Sequence, residues 1–566
     1  GPELSRPGHR IDKRLAPDNG SIFRKFMRRN LERLSNDTFD LLVIGGGITG
    51  ACVARDAARR GLKVALIDKG DFANATSAHN SKLIHGGLRY LRNFELGLVR
   101  ESLRERRIWQ RTAPHLVHPL PFLVPVQDHW ATRATLRAGL TLYDLLSYDR
   151  GWLDDPNQRL PGYRWLNRKA ALSRDAILDQ PELSGAFRYF DAQMYAPERL
   201  ALECLIDARA HDAVIANYAE AKALIIHNGR VTGAAVEDRM GSGAFTIQAR
   251  VTLVATGPWS DIFLDRALGR KTAHRILRSK GIHLIVPAMT RGDALTVAAH
   301  GGHFFLLPWR GHTLLGTTDT AFTGDPDHVR ATEQDIADFL SFINTHLPAA
   351  QLRREQVEHA YAGLRPLVDD GSGNTYGASR RAELIDHRGD GVEALFSAIG
   401  GKWTTSRALA ESIVDTIVRV LHVKTQHCTT ANAALPGGNI PRIRDFAAEQ
   451  SRTHSDLSGI GHLWQMYGTR LREMLSVAAD RPELLTPLSP SGDIGAQILF
   501  AVREEMALTL GDVILRRTGI GQLGAPSPTV LETVSLLMAE ELGWTELHRR
   551  NQIEAVKSEF ANGNPA

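Results

Sequence analysis

The run Gly45-Gly46-Gly47-Ile48-Thr49-Gly50 has the spacing Gly-x-Gly-x-x-Gly, which suits the binding of a pyrophosphate. The first glycine permits a tight turn, the second lets phosphates approach the backbone, and the third lets a helix pack closely on a strand. The helix start then offers free N–H groups and the positive end of its dipole to the anion. A glycine triplet alone is weak, so its setting matters. Residues 39–44 are an apolar run broken only by Asp40, as in a buried strand. Residues 48–60 read as a helix, ended by Gly61. Residues 63–67 are a second strand, with Asp68 at its end. Asp68 stands at the spacing of roughly 20 residues at which an acid meets ribose hydroxyls. This unit predicts a dinucleotide site on Gly45, Gly47, Ile48, Thr49, Gly50 and Asp68. It does not by itself separate NAD from FAD.

The elements around the unit predict an α/β chain, because strand-like and helix-like segments alternate. Residues 251–255 are another buried-strand candidate and run into Thr256-Gly257-Pro258. Residues 283–317 read as several strands of antiparallel character. Beyond Gly437-Gly438 the chain turns to helix formers, for example over 496–509, and predicts a separate helical domain. At the other end, residues 1–20 read as a polar arm. In residues 21–35, Ile22, Phe23, Phe26, Met27, Leu31 and Leu34 recur at near-helical spacing among Arg24, Lys25, Arg28, Arg29 and Arg33. This basic amphipathic helix either packs on its own domain or anchors the chain at a membrane surface.

Composition narrows the class. With 566 residues, 43% hydrophobic and 23% charged, the chain has room for three or four domain-sized units, and disorder or a disulfide-stapled miniprotein is excluded. A net charge of +5 is too small to imply nucleic acid. Cys52, Cys204 and Cys428 lie far apart without metal-ligand spacing, which predicts no metal site and a reducing compartment. No stretch reaches the roughly 18 apolar residues that a membrane span needs.

The segment Ser81-Lys82-Leu83-Ile84-His85-Gly86-Gly87-Leu88-Arg89-Tyr90 strongly resembles the signature of FAD-dependent glycerol-3-phosphate dehydrogenases of the respiratory, quinone-linked type. Five further segments match that family in order: Ala255-Thr256-Gly257-Pro258-Trp259, Lys280-Gly281-Ile282-His283, Gly316-Thr317-Thr318-Asp319, Gly363-Leu364-Arg365-Pro366-Leu367 and Gly400-Gly401-Lys402-Trp403-Thr404-Thr405. Leu435-Pro436-Gly437-Gly438 resembles the junction to its helical domain.

The resemblance implies an α/β fold: a doubly wound, Rossmann-like FAD-binding domain of the D-amino-acid-oxidase (DAO) type, with an antiparallel-sheet substrate domain and a C-terminal all-α domain. The expected bounds are 1–37 for the arm and helix, 38–435 for the FAD domain with substrate parts at roughly 115–200 and 275–360, and 436–566 for the helical domain. It adds Lys69, Thr76, Ser77, Ser81, Lys82, Leu83, His85, Gly86, Thr256, Gly257, Gly401, Lys402, Trp403 and Thr404 to the FAD site. It implies a phosphate-binding group of Arg89, Tyr90, Arg365, Arg380 and Lys402, since arginine's planar fork suits phosphate oxygens. His283 is the implied base, acting with Arg365. The implied reaction oxidises sn-glycerol 3-phosphate to dihydroxyacetone phosphate, with hydride passing from C2 to flavin N5 and electrons to a quinone. A cytoplasmic protein attached to the inner face of the cytoplasmic membrane, and a homodimer, are implied in the same way.

One stretch departs from the family pattern. Where the family carries Asp-Asp-x-Arg before a helix, this chain has Tyr195-Ala196-Pro197-Glu198-Arg199. If the acids only cap a helix, Pro197 in its first turn substitutes for them. If they shape the pocket, another polyol phosphate is the substrate. An oxygen-using oxidase of the same substrate is the other alternative.

Overall fold

The computed structural model describes residues 28–127, 130–241, 243–299, 302–368 and 382–561. Its first sheet grows from a helix α1 (Leu31–Asn36), a strand β1 (Thr38–Ile44), a helix α2 (Ile48–Arg59) and a strand β2 (Val64–Ile67). β1 pairs in parallel with β2 on one side and with the strand Ala244–Val254 on the other. Val214–Ala216 extends the sheet beyond β2, and Leu395–Ile399 extends it beyond Ala244–Val254, both in parallel. The chain therefore leaves β1 toward one side and returns on the other. The end of β1 is a switch point, where open α/β sheets place their ligands.

The continuous apolar run of β1 follows from burial on both faces. Leu41 and Val43 pack with α2 and the helices Pro197–Ala210 and Ser406–Leu421. Leu42 and Ile44 pack on the other face with Phe263 and Leu264 and the antiparallel strands Ala219–His227 and Arg230–Asp238.

The second sheet is antiparallel except for one short parallel pairing, Ala294–Leu295 with Phe122–Leu123. It takes Val117–Gln127 and Leu183–Met194 from one part of the chain and Ile276–Pro287, Ala294–Ala299, Gly302–Trp309, His312–Gly316 and His359–Val368 from another. One face is covered by the helix Glu333–His346. After residue 440 the described chain is helical, from Ile443–Thr453 to Glu546–Ala561.

That helical domain is fastened by buried ion pairs. Arg199 meets Glu505 through two bonds of 2.6 Å. Asp71 receives Arg517 through two bonds of 2.8 Å and Arg516 at 2.7 Å. The expected helix over 21–35 is seen only as α1, and residues 1–27 lie outside the described residues. Its described part turns to the protein: Leu34 is buried, Arg29 pairs with Asp238 and Arg33 with Asp212. No helix among the described residues is long and apolar enough to cross a membrane.

Candidate functional site

A cavity of about 900 Å³ opens at the switch point and runs from the glycine loop to the second sheet. Gly45, at φ +114°, begins the turn. A Cβ on it would collide with the Ala255 carbonyl, and a Cβ on Gly50 would overlap the Gly45 carbonyl oxygen. These two glycines keep α2 tight against the sheet. Gly47 differs, because a Cβ there would meet only Ser77 Oγ, at 3.2 Å. Its missing side chain leaves room in the cavity instead. At the helix start, Ile48 N–H donates to Ser77 Oγ at 2.9 Å.

Asp68 lines the same cavity and accepts from Gly46 N–H at 2.6 Å and Gly70 N–H at 2.9 Å. Burial pushes its carboxyl up to about 6, against the pull of those two amides. A carboxylate offers about four lone-pair positions, so acceptor capacity remains for sugar hydroxyls. Further along, Trp403 Nε1 donates to Ser77 O at 3.0 Å, and His85 N–H donates to Thr404 Oγ1 at 3.2 Å. These bonds stitch the 76–85 stretch to the Gly400–Thr404 segment, which leads into the helix Ser406–Leu421.

At the far end stand His283 and Arg365. His283 lies on the strand Ile276–Pro287, opposite Gly316 on one neighbour and Tyr361 on the other. A Cβ on Gly316 would run into the His283 ring, and one on Gly281 would run into the Arg365 guanidinium. The glycines of two of the matched segments thus make room for the two side chains. The Arg365 fork is held by Thr317 Oγ1 at 2.7 Å, Ser279 Oγ at 3.1 Å and Thr318 O at 3.2 Å. His283 is 2% exposed and stacks on Tyr361 with ring centres 5.0 Å apart. Burial, with Arg365, Lys82 and His79 close by, holds its imidazole well below the ordinary 6.5. It is therefore neutral at pH 7. Its Nε2 lies 2.9 Å from Ser81 Oγ, and its Nδ1 is buried without a hydrogen-bond partner among the described residues.

Comparison with known proteins shows the family. A family model described as FAD dependent oxidoreductase matches residues 40–416, and one described as the C-terminal domain of alpha-glycerophosphate oxidase matches 428–549. A glycerol-3-phosphate dehydrogenase of Synechocystis sp. is 38% identical over 93% of this chain and 97% of its own length. The chain belongs to the FAD-dependent glycerol-3-phosphate dehydrogenase family. A Mycobacterium leprae member is 34% identical over 91% of this chain and 86% of its own. The crystal structure of a Bacillus halodurans member, complexed with FAD, superposes with a TM-score of 0.75 at 29% identity and covers 94% of this chain and 96% of that one.

FAD is the family's cofactor, and the cavity fits it. The glycine turn, the α2 start, the acid at the end of β2 and the segment at 400–404 line one continuous space. Of the residues expected from sequence, Gly45, Gly47, Ile48, Thr49, Asp68, Lys69, Thr76, Ser77, Ser81, Leu83, His85, Thr256, Gly257, Gly401, Lys402, Trp403 and Thr404 line it, as do His283 and Arg365. Gly50 and Gly86 do not; the first packs a helix on a strand, and the second donates its N–H to Tyr143 OH at 2.9 Å. Lys82 does not line it either. Its ammonium turns into the interior, donates to Ala78 O at 2.8 Å and sits 5.2 Å above each of the Trp309 and Tyr361 rings. Arg89 and Tyr90 do not line the cavity either. The Tyr90 ring is flanked by the Lys402 ammonium at 4.8 Å and the Arg89 guanidinium at 5.1 Å. Arg380 lies outside the described residues.

The departure at 195–199 does not line the cavity. Pro197 opens the helix Pro197–Ala210, Tyr195 OH lies 2.6 Å from His462 Nδ1, Glu198 bonds Gln522 and Arg199 bonds Glu505. This stretch docks the helical domain and does not shape the pocket. Several residues that line the cavity were not anticipated, among them Asp327, Trp259 and Glu559. Asp327, in the short helical turn Pro326–His328 outside any motif, pairs with Lys69 Nζ at 2.5 Å and accepts from Trp259 Nε1 at 2.9 Å. Trp259 stood in a matched segment but had no assigned role, and Glu559 arrives from the last helix.

Proposed function

We propose that the chain oxidises sn-glycerol 3-phosphate to dihydroxyacetone phosphate and delivers the electrons to a quinone. The observation that supports this most is a buried His283 beside Arg365 in the cavity that begins at the dinucleotide loop. FAD held there supplies the two-electron acceptor for the hydride from C2. His283 takes the proton of the C2 hydroxyl. An imidazole held below its ordinary pKa is unprotonated and ready, and a phosphate dianion beside Arg365 raises its basicity once substrate is bound. Arg365 and Lys402 supply fixed positive charge for the phosphate and for negative charge that develops on the C2 oxygen. Relatives named glycerol-3-phosphate dehydrogenase support the substrate. Since 195–199 does not line the pocket, no feature among the described residues favours a different polyol phosphate.

Quinones reside in lipid, so the protein must work at a membrane surface. Support for attachment comes from the helix Trp130–Leu146 and the packed helix Leu88–Asn93 with its neighbour Phe94. Phe94 and Trp130 are each 84% exposed, and Arg133 and Arg137 are exposed on the same helix as Trp130. Apolar rings with arginines around them suit anionic lipid headgroups. Phe94→Ser with Trp130→Ser is expected to release the protein from phosphatidylglycerol vesicles while leaving flavin reduction intact; unchanged vesicle binding would sink the attachment.

The matched C-terminal model carries an oxidase description, which keeps oxygen as a second acceptor. Turnover with a short-chain ubiquinone, with hydrogen peroxide measured in air, separates the two. Quinone-dependent turnover with little peroxide supports the dehydrogenase, and one peroxide per substrate oxidised would make the chain an oxidase.

A further inference from the structure

The wall of the FAD cavity is not built by the first sheet alone. Ser558 and Glu559, in the last turn of the helix Glu546–Ala561, line it together with Asp68, Lys69 and residues 219–221. These two residues lie past the stretch matched by the C-terminal family model, which ends at 549. Glu559 Oε2 is buried and has no hydrogen-bond partner among the described residues. A buried carboxylate oxygen without a donor is costly, and native structures rarely leave one so without a reason. The location makes it costlier, because the last turn of a helix is the negative end of its dipole. Burial pushes this carboxyl up to about 7, while Arg516 pulls it down.

The same domain also fixes the loop beneath the cavity. Asp71, in the turn after Asp68, is gripped by Arg516 and Arg517. Asp512 accepts from Tyr218 OH at 2.5 Å, and the next residue, Ala219, donates its N–H to Asp68 O at 2.8 Å. A continuous set of contacts therefore runs from the Glu559 surroundings to the acid that addresses a ribose.

We propose that Glu559 accepts a hydrogen bond from the adenosine half of FAD, a sugar hydroxyl or the exocyclic amine, and that the helical domain is thereby part of the cofactor site. A ligand donor at Oε2 removes the unpaired oxygen and stabilises the ionised carboxyl. The proposal gives the C-terminal domain a function of its own: it holds FAD in place. The adenosine half is named because Asp68 marks that end of the cavity, while His283 and Arg365 mark the end where substrate reacts.

The test uses the full chain stripped of flavin and reconstituted. Binding of FAD is followed by flavin fluorescence and binding of ADP by calorimetry, for wild type, Glu559→Ala, Glu559→Gln and the control Glu554→Ala, whose exposed carboxyl pairs with Lys557. Losing a charge-assisted hydrogen bond should raise the Kd of Glu559→Ala roughly 10- to 100-fold for both FAD and ADP. The control should bind as wild type does. If Glu559→Ala fails to fold, the near-isosteric Glu559→Gln carries the test, with the same weakening expected in direction. FAD and ADP bound within twofold of wild type by the folded variants would overturn the proposal. So would weakened FAD with unchanged ADP, since the contact would then lie off the adenosine half.

Discussion

Ser81 Oγ and His283 Nε2 lie 2.9 Å apart, although 202 residues separate them along the chain. Ser81 belongs to the stretch between the glycine loop and Gly86; His283 belongs to the second sheet. The bond fixes the imidazole plane together with the Tyr361 stack, and it leaves Nδ1 as the ring nitrogen without a partner among the described residues.

Loss of the base should act on chemistry more than on binding. For His283→Asn, with FAD retained, the rate of flavin reduction at saturating substrate should fall by roughly 10²- to 10⁴-fold. Ser81→Ala should cost about tenfold, because it frees the ring without removing it. Stopped-flow absorbance checks both; a wild-type rate in His283→Asn would remove it from the mechanism.

The acid limb of kcat/KM should lie below pH 6.5. His283 must be unprotonated to act, and burial with Arg365, Lys82 and His79 holds its pKa in the free enzyme below that ordinary value. Activity should therefore persist as pH falls through 6.5 and drop only beyond it. Replacing Lys82, a buried cation near the ring, with Met should move the limb upward. A limb above 6.5 in the wild type contradicts the assignment.

Arg365 should be a binding residue first. Arg365→Ala should lower kcat/KM for glycerol 3-phosphate by roughly 10- to 100-fold, the worth of a lost charge-assisted contact. Activity on glycerol, which lacks the phosphate, should fall by less, because only the charge facing the C2 oxygen is lost. Steady-state kinetics with both alcohols reads the difference.

The two glycines should fail differently. Gly47→Ala meets only Ser77 Oγ at 3.2 Å, so the protein should fold with near wild-type stability and purify without flavin. Gly50→Ala drives a methyl into the Gly45 carbonyl and should give insoluble or strongly destabilised protein. Absorbance at 450 nm and circular dichroism separate the two outcomes.

Asp71→Asn should destabilise the chain by about 3–5 kcal/mol, because Arg516 and Arg517 would be left buried without their shared anion. Those two cations hold the Asp71 carboxyl far below the ordinary carboxylate range. Its stabilising effect is thus complete above pH 4 and is lost only in stronger acid. Urea unfolding at pH 7 and pH 5 should show the same loss at both.

The first βαβ unit was legible because each of its signals is local: an apolar run, a glycine spacing, an acid at a strand end. The segments around Arg365 and His283 were legible through their order along the chain, although nothing in their spacing shows that Gly281 and Gly316 make room for them. Lys82 was misleading. Its neighbours Ser81 and Leu83 line the cavity, but at φ +57° the backbone turns its side chain into the core. Arg89 and Tyr90 do not line the cavity either; they lie in the tight helical turn Leu88–Asn93. The docking role of Tyr195, Glu198 and Arg199 depends on His462, Gln522 and Glu505, which lie hundreds of residues away, and no local pattern encodes such partners. The same is true of Asp327 and Glu559.

The most direct test of the account is anaerobic. Glycerol 3-phosphate is added to the purified, FAD-loaded protein, and the flavin absorbance near 450 nm is followed in the absence of any acceptor. The account predicts rapid, complete bleaching with one substrate oxidised per flavin, and none with glycerol 1-phosphate of the opposite configuration at C2. A loaded protein whose flavin stays oxidised under glycerol 3-phosphate would contradict it.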